Sequence, residues 1–429
     1  MRTGQRVSPP LLLVLLLLLL APSRGRAATA SSGEADTLQF EPVERFAQEP
    51  PEENSRPAQY RPPAVRRWLS VPFHEHLLEG HHSLPSRRRR FDLLVDYNRV
   101  DLVRIGGEFQ AQARSTYSPR FAGRAEYASG RGQWLYGAQL EQPLDAGNHV
   151  ALGVAMLRAT NHLDLNQVED FENSLALLFG RTDSRDYFER EGAEAYVAAR
   201  WPGVTIASLH IRDDKYRSLP EVDTWSMFYQ DRELRPNAPI TEGEMRALAL
   251  RLERHARQSG GLYHWIELEM AGSELGGDFA YRRALADIRS VIRLAPTMGL
   301  HLRAVGGATV GGTLPPQRIF TVGGMDGMRG YSLGSFRGDQ VALGQLEYVV
   351  GFGRVRRGNL SGLRVIAFTD AGAAWNDPSH EWRVDEQHFE LDGGFGLGTA
   401  EDNLRVYFAR NLRDPDAAFV VSARLQRPF

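Results

Sequence analysis

The sequence contains no cysteine, and it has no long apolar run beyond its first 30 residues. The missing cysteine excludes disulfide bonds, thiol chemistry and a lipidated N-terminal cysteine. After residue 30 no stretch of 18 or more apolar residues occurs, and the mean hydropathy is −0.37. If such a chain enters a membrane, it does so as a β-barrel, because only helices and closed barrels satisfy their backbone groups in lipid. The formal net charge of −2 does not indicate a polyanionic partner.

The first 30 residues have the three parts of a secretory signal peptide. Met1–Arg6 carries two arginines, Leu11–Ala21 is almost unbroken leucine, and Ala28–Ala30 provides small residues for a signal peptidase. The apolar run is about eleven residues long, whereas a spanning helix needs roughly 20. We therefore predict a cleaved signal peptide over 1–30 and export of the mature chain.

Residues 31–90 are polar, irregular and rich in proline. This composition is typical of a linker, so we predict a proline-rich periplasmic arm here, followed by a β-barrel over 91–429. The arginines at 87–90 are interpreted as a solvated basic run, with lipid head-group contact as the alternative. No metal site or cofactor is predicted, because the histidines of the arm form no H-E-x-x-H motif; they are His74, His76, His81 and His82.

Beyond residue 100 apolar and polar residues alternate, with interruptions by Gly, Asp, Asn and Pro. This alternation is typical of antiparallel strands with two different faces. In 341–352 the apolar face includes Leu346 and Tyr348, and the polar face includes Gln345 and Glu347. A soluble sandwich would show the same alternation. Strands of about ten residues and aromatic residues near strand ends favour a membrane barrel; these aromatic residues are Trp134, Trp201, Trp265, Phe352 and Trp375.

Fifteen segments carry the alternation. We predict an all-β fold, a transmembrane antiparallel barrel. Bacterial single-chain barrels have an even number of strands, so we predict 16 strands, with 14 as the alternative. The missing strand is expected at Phe91–Asn98. Val168–Phe179 has apolar residues at helical spacing, which predicts a short amphipathic helix on the barrel rim, with a plug or docking role as the alternative. The fifteen segments are 103–113, 121–129, 133–142, 149–158, 192–201, 204–212, 246–254, 262–271, 279–294, 301–311, 341–352, 363–373, 391–399, 404–411 and 419–427.

The most informative segment reads FTVGGMDGMRGYSLG from 320 to 334. A phosphate-binding loop would need a Lys-Ser/Thr or G-x-G-x-x-G order between a strand and a helix, and neither is present. A loop that folds back into a crowded lumen uses glycine for positive φ angles and close approach. This loop would carry one cation, Arg329. Glu347 and Asp370 lie on the polar, inward faces of later strands, where they could anchor Arg329 by charge-assisted hydrogen bonds.

Two motifs resemble those of a known family. GGMDGMRGY at 323–331 is similar to the G-G-x-x-x-[VL]-R-G-[FY] loop of the BamA/TamA surface-antigen family, and FTDAG at 368–372 is similar to its F-x-D-x-G strand. The order of the motifs and the terminal phenylalanine agree with that family over about the last 110 residues. Met328 stands where valine or leucine is usual, which is a mild change for an unbranched apolar side chain.

The resemblance implies a barrel whose sixth extracellular loop folds into the lumen. The arginine of the R-G-[FY] motif then bonds to acidic residues of the next two strands and locks the loop in place. Carried over to this sequence, the implied loop lock consists of Arg329, Gly330, Tyr331, Glu347, Asp370 and Gly372.

Both ends of the chain depart from the family pattern. Phe429 is expected to serve as the C-terminal signal for the assembly machinery, although Arg427 occupies an apolar-phase position and Pro428 precedes the end. Members of the family that insert or secrete proteins have periplasmic POTRA domains in front of the barrel. This chain is expected to lack them.

The resemblance implies a bacterial outer-membrane protein that takes part in insertion, translocation or export of a protein or lipid substrate. The alternative is a passive pore or structural barrel without transport activity. The chain is not expected to be an enzyme, because its residues offer no recognisable Ser, His and acid set for hydrolysis in the lumen. Expected partners are outer-membrane lipid, the substrate and the outer-membrane assembly machinery, and not nucleic acid. The pairing between the first and last strands distinguishes the two alternatives. An insertase needs weak pairing there, whereas a closed pore needs a complete ladder.

Overall fold

The computed structural model describes residues 89–112, 117–165, 168–201, 205–254, 262–352, 363–399 and 404–425. The predicted signal peptide over 1–30, the predicted arm up to residue 88, and the predicted assembly signal Phe429 lie outside the described residues. They therefore stay predictions, as does the division of the chain into these three segments.

The described residues form eighteen strands, sixteen of them in one antiparallel sheet. The strands are β1 (Arg89–Asn98), β2 (Leu102–Gln112), β3 (Arg120–Ala128), β4 (Gln133–Pro143), β5 (Val150–His162), β6 (Tyr187–Trp201), β7 (Thr205–Ser218), β8 (Gly243–Arg254), β9 (Leu262–Ala271), β10 (Tyr281–Ala295), β11 (Met298–Gly312), β12 (Phe320–Val322), β13 (Phe336–Gly338), β14 (Gln340–Gly351), β15 (Leu363–Trp375), β16 (Glu390–Thr399), β17 (Arg405–Asn411) and β18 (Val420–Arg424). Strands β12 and β13 form a separate hairpin within the connection between β11 and β14.

Among the described residues one α-helix, α1 (Asp170–Gly180), lies in the connection between β5 and β6. Single 3-10 turns occur at Ser273–Leu275, Pro316–Arg318 and Val384–Glu386. Within the described part of the chain, none of the helices combines the length and the apolarity needed to cross a membrane.

The predicted count of 16 strands is confirmed. Each of the fifteen predicted segments coincides with a strand, and the missing one is β1, at the expected place. Helix α1 also falls on the predicted helical segment. Strand β6 begins at Tyr187, five residues before the predicted start at 192, because polar residues that break the alternation still pair with β7, as Glu189 does with Arg217.

The two faces of the sheet have the polarity of a barrel in lipid. On β1 the outward residues Phe91, Leu93 and Val95 are 70%, 65% and 55% exposed. On the inward side, Glu347 of β14 and Asp370 of β15 are fully buried. A soluble sandwich buries its apolar face, whereas a membrane barrel turns it towards lipid and keeps a polar interior. This inversion decides between the two alternatives that the alternation left open.

The lumen is lined by pairs of arginine and carboxylate side chains from different strands. Their short distances include 2.9 Å from Arg212 to Glu269, 2.9 Å from Arg303 to Asp287 and 2.8 Å from Arg120 to Glu141. Buried charges are tolerated only when they are paired and hydrogen-bonded. The interior is therefore held together by ion pairs as much as by apolar contacts.

Of the five predicted girdle aromatics, three are exposed and two, Trp265 and Trp375, are half-buried. Trp134, Trp201 and Phe352 are 63%, 54% and 45% exposed, as lipid-facing residues near strand ends are expected to be. Trp265 is different, because it is half-buried and packs against the apolar cluster of the lumen. The girdle assignment of Trp265 was wrong, since this residue shares the inward phase of Glu267 on β9.

Candidate functional site

The connection between β11 and β14 folds back into the lumen as the β12–β13 hairpin. Its turn depends on glycine, because Gly323 and Gly324 have φ angles of 118° and 87°. A Cβ on Gly323 would lie 2.4 Å from the carbonyl oxygen of Ser332. The Gly324 amide donates to the carbonyl oxygens of Met328 and Tyr331, both at 3.1 Å. These bonds close the tip of the loop, residues 324–331.

Arg329 projects from this tip towards the inner wall. Its Nε and Nη2 donate to the two carboxylate oxygens of Asp370 at 2.8 and 2.7 Å, and its Nη1 donates to Glu347. The guanidinium carbon lies 3.7 Å from the centre of the Phe368 ring and 4.7 Å from that of Tyr407. A fork of this kind with stacking on aromatic faces is specific to arginine.

The charges around Arg329 keep it ionised. Burial lowers the pKa of the Arg329 guanidinium, but Asp370 and Glu347 outweigh that effect and hold the pKa well above its ordinary value. Glu347 also accepts hydrogen bonds from Arg405 at 3.0 Å and from Tyr407 at 3.0 Å. Two arginines, Arg329 and Arg405, thus share the Glu347 carboxylate.

The other residues of the implied lock lie at the same place. The Gly330 amide donates to Asp392 Oδ2 at 2.7 Å, and the Tyr331 hydroxyl donates to Glu390 at 2.8 Å. A Cβ on Gly372 would lie 3.1 Å from the sulfur of the fully buried Met328. The structure therefore brings all six residues together, while their role as a lock stays a prediction.

We expect Gly330→Ala to prevent the tip from seating. A Cβ at this position would lie 2.9 Å from the Arg410 carbonyl carbon and 3.0 Å from the Asn411 backbone nitrogen, and backbone cannot give way as a side-chain end can. Overpacking of this kind costs about 1–3 kcal/mol. The measurement is the heat-resistant folded fraction on a gel, with Gly344→Ala as the matched control, since nothing lies within 4 Å of a Cβ there. Equal folded fractions for the two variants would contradict this account.

Several contacts of the tip were missed by the sequence reasoning. Gln345 Nε2 donates to the Gly327 carbonyl at 2.6 Å, and Arg303 donates both to Gln345 at 3.0 Å and to the Asp326 carbonyl. Gln345 could have been identified from the sequence, because it is one of the alternating residues on the inward face of β14. Arg303 has the same inward position on β11, but nothing in the alternation indicates that it reaches the loop in addition to Asp287 of β10.

A second feature is the gap between the ends of the sheet. Strands β1 and β18 are the two edge strands, and no backbone ladder joins them within the described residues. Helix α1 binds the β1 edge: Ser174 Oγ accepts from the Tyr97 amide at 2.9 Å and donates to Asp96 at 2.6 Å. The helix side chain takes the place of a neighbouring strand at this backbone donor.

The same helix also reaches the other edge. Glu172 lies 3.0 Å from Nε of Arg424 on β18, and Arg424 lies 2.5 Å from Asp326 in the tip. All three side chains are buried or nearly so, with exposed fractions of 5%, 4% and 11%. Helix α1 therefore bridges both edge strands and the tip through side chains. The prediction that α1 lies on the barrel rim did not include this bridge.

The described residues offer no group of three or more His, Asp or Glu side chains arranged to hold a metal ion. What the arrangement can do is hold or release parts of the wall, because its contacts are ion pairs and hydrogen bonds between separate elements. The histidines of the predicted arm lie outside the described residues.

Comparison with known proteins places the family resemblance on the same part of the chain. Residues 257–400 match the Omp85 superfamily domain. Over 143 residues, amounting to 30% of this chain, the sequence is 31% identical to the outer membrane protein assembly factor BamA of Nitratidesulfovibrio vulgaris. The match covers only 17% of that relative's length. The resemblance read from the loop and strand motifs is confirmed.

The fold is similar to that of a solved barrel. The crystal structure of BamA from Haemophilus ducreyi lacking POTRA domains 1–3 aligns with a TM-score of 0.52 and 11% identity. The alignment covers 79% of this chain and 70% of that one.

Proposed function

We propose that this bacterial outer-membrane β-barrel, whose residues 257–400 match the Omp85 superfamily domain, takes part in insertion, translocation or export of a protein or lipid substrate. The substrate meets the barrel at the edge between β1 and β18. The loop lock around Arg329 keeps the wall next to this edge in a fixed shape.

The observation that carries the proposal is how the two edges are joined. Elsewhere each strand is held by a ladder of backbone hydrogen bonds, for example thirteen residue pairs between β5 and β6. Each such bond contributes about 0.5–1.5 kcal/mol. Between β1 and β18 the described residues provide instead the side-chain bridge of α1. Within the described residues, separating the edges then requires few contacts to break, which is what a transport barrel needs and a permanent pore does not.

The proposal is tested by fixing this bridge. The chain has no cysteine, so Glu172→Cys with Arg424→Cys supplies the only two thiols. A direct S–S bond needs Cα atoms within about 7 Å, so a bis-methanethiosulfonate linker is used to join α1 to β18 through two disulfide bonds. The linked protein is the oxidised state, and a reductant releases the linker. Depletion of the wild-type protein, followed by quantitative proteomics of the outer membrane, identifies the proteins that depend on it. We expect the oxidised double variant to fail to restore them, and addition of a reductant to recover the function.

The matched control is Arg120→Cys with Glu141→Cys. These residues also form a buried ion pair, but they face each other on β3 and β4, which a backbone ladder already joins. The control is expected to restore the outer-membrane proteome in both redox states. An unchanged proteome on depletion, together with a steady open conductance of the purified barrel, would instead favour the passive pore.

A further inference from the structure

One exposed apolar surface is explained neither by the lumen nor by the edge bridge. It lies at the rim where β1 ends, and it is formed by the connection between β7 and β8 together with the end of α1. Its aromatic side chains are between 41% and 69% exposed; they are Phe179, Trp225, Phe228 and Tyr229. Exposed apolar patches of this kind usually mark a contact with another phase or partner.

The surface is held in a defined shape. The Met227 amide donates to the Leu178 carbonyl at 2.7 Å, and Arg181 at the end of α1 donates to the Thr224 carbonyl at 2.9 Å. Within the turn, Ser226 Oγ donates to the Phe228 carbonyl at 2.8 Å. The aromatic side chains are therefore presented by an ordered turn tied to α1.

The surface continues the lipid-facing side of the barrel. Tyr97 follows Phe91, Leu93 and Val95 in the outward row of β1, and its hydroxyl is bonded to both the backbone nitrogen and the carbonyl of Trp225 at 2.8 Å. The turn is thus attached to the end of the row that faces hydrocarbon.

The sequence of the turn is typical of a short segment that lies in the interface region of a bilayer and then returns to water. Tryptophan and tyrosine are enriched at that boundary because they combine an apolar ring with a polar group. Exposed charged residues follow at once, over 231–233. We propose that Trp225, Phe228 and Tyr229 lie in the headgroup–hydrocarbon boundary of the membrane and anchor the rim beside the edge strand β1.

The test uses single cysteines in the full chain. Phe228→Cys carries a nitroxide spin label, and Asp231→Cys, an exposed position in the same connection, is the matched control. The labelled proteins are reconstituted into dioleoylphosphatidylcholine vesicles, and their collision rates with oxygen and with a water-soluble nickel chelate are compared. We expect the label at 228 to collide several-fold more with oxygen than with the chelate, and the label at 231 to show the reverse.

Two results would overturn the proposal. Equal preference for the chelate at both positions would mean that the turn stands in water. Protection of position 228 from both reagents would mean that protein covers it, either a second copy or a co-purified partner. Gel mobility before and after heating shows whether each labelled protein is folded, and Met227→Cys provides a second position on the same surface should Phe228→Cys fail to fold. Because the test measures depth and not transport, it is independent of the proposed function.

Discussion

Arg329→Ala is expected to lower the free energy of unfolding by about 3–5 kcal/mol, the usual effect of removing one partner from a buried ion pair. The loss is large because Asp370 directly faces Asp392 across β15 and β16. Without the guanidinium, Asp370 loses both of its bonds to Arg329 and stays buried opposite Asp392. The stacking of Arg329 on Phe368 is lost as well, which adds about 0.5–2 kcal/mol.

The measurement is the heat-resistant folded fraction on a gel, followed by urea unfolding in lipid. Export to the periplasm should be unaffected, since it precedes folding. Arg329→Lys is expected to recover only part of the stability, because an ammonium cannot form the two parallel bonds to Asp370. Arg383→Ala is the control: its partner Glu381 is 58% exposed, and such surface pairs contribute about 0–1 kcal/mol. If Arg329→Ala folds as well as Arg383→Ala, Arg329 is not a lock.

Arg424→Ala is expected to have an effect of similar size by a different route. Arg424 is the cation between Glu172 of α1 and Asp326 of the tip. Burial raises the pKa of the Glu172 carboxyl, and Arg424 opposes this. When Arg424 is removed, the two acidic side chains repel each other, and the last strand loses its ion pairs with both elements.

The double variant Glu172→Ala with Arg424→Ala separates this explanation from a simple loss of packing. Removing both partners of a buried pair costs less than removing one, so the double variant should be more stable than Arg424→Ala alone. The comparison is made by urea unfolding of the reconstituted barrels. If the double variant is less stable than the single one, the repulsion account is wrong, and packing of the Arg424 stem explains the effect.

Much of the architecture could be predicted from the sequence because a barrel wall repeats one simple pattern. The alternation identified fifteen strands, and the even-number rule pointed to the sixteenth at Phe91–Asn98. Phase alone also placed Glu347 and Asp370 on the inward face, where Arg329 meets them.

The contacts of α1 could not be predicted in the same way. The alternation of apolar and polar residues indicates which face of a strand a residue occupies. It does not indicate the position of the residue along the barrel axis or which residue lies opposite it across the lumen. The Glu172–Arg424 contact joins residues from a connection and from the last strand, which are distant in sequence. Trp265 shows the same limit, because its place near a strand end suggested lipid while its phase directed it inward.

The arginine-lined lumen has a consequence for how the interior responds to its surroundings. Lys215 is the only lysine among the 51 basic residues of the sequence, and it is exposed on the outer side of β7. Arginine keeps its proton at any pH that a cell meets, with a pKa above about 12. Among the described residues, the buried arginines therefore keep their positive charge in alkali, where a lysine would lose it. The arginine–carboxylate pairs are discharged from the acid side, when their carboxylates take up protons.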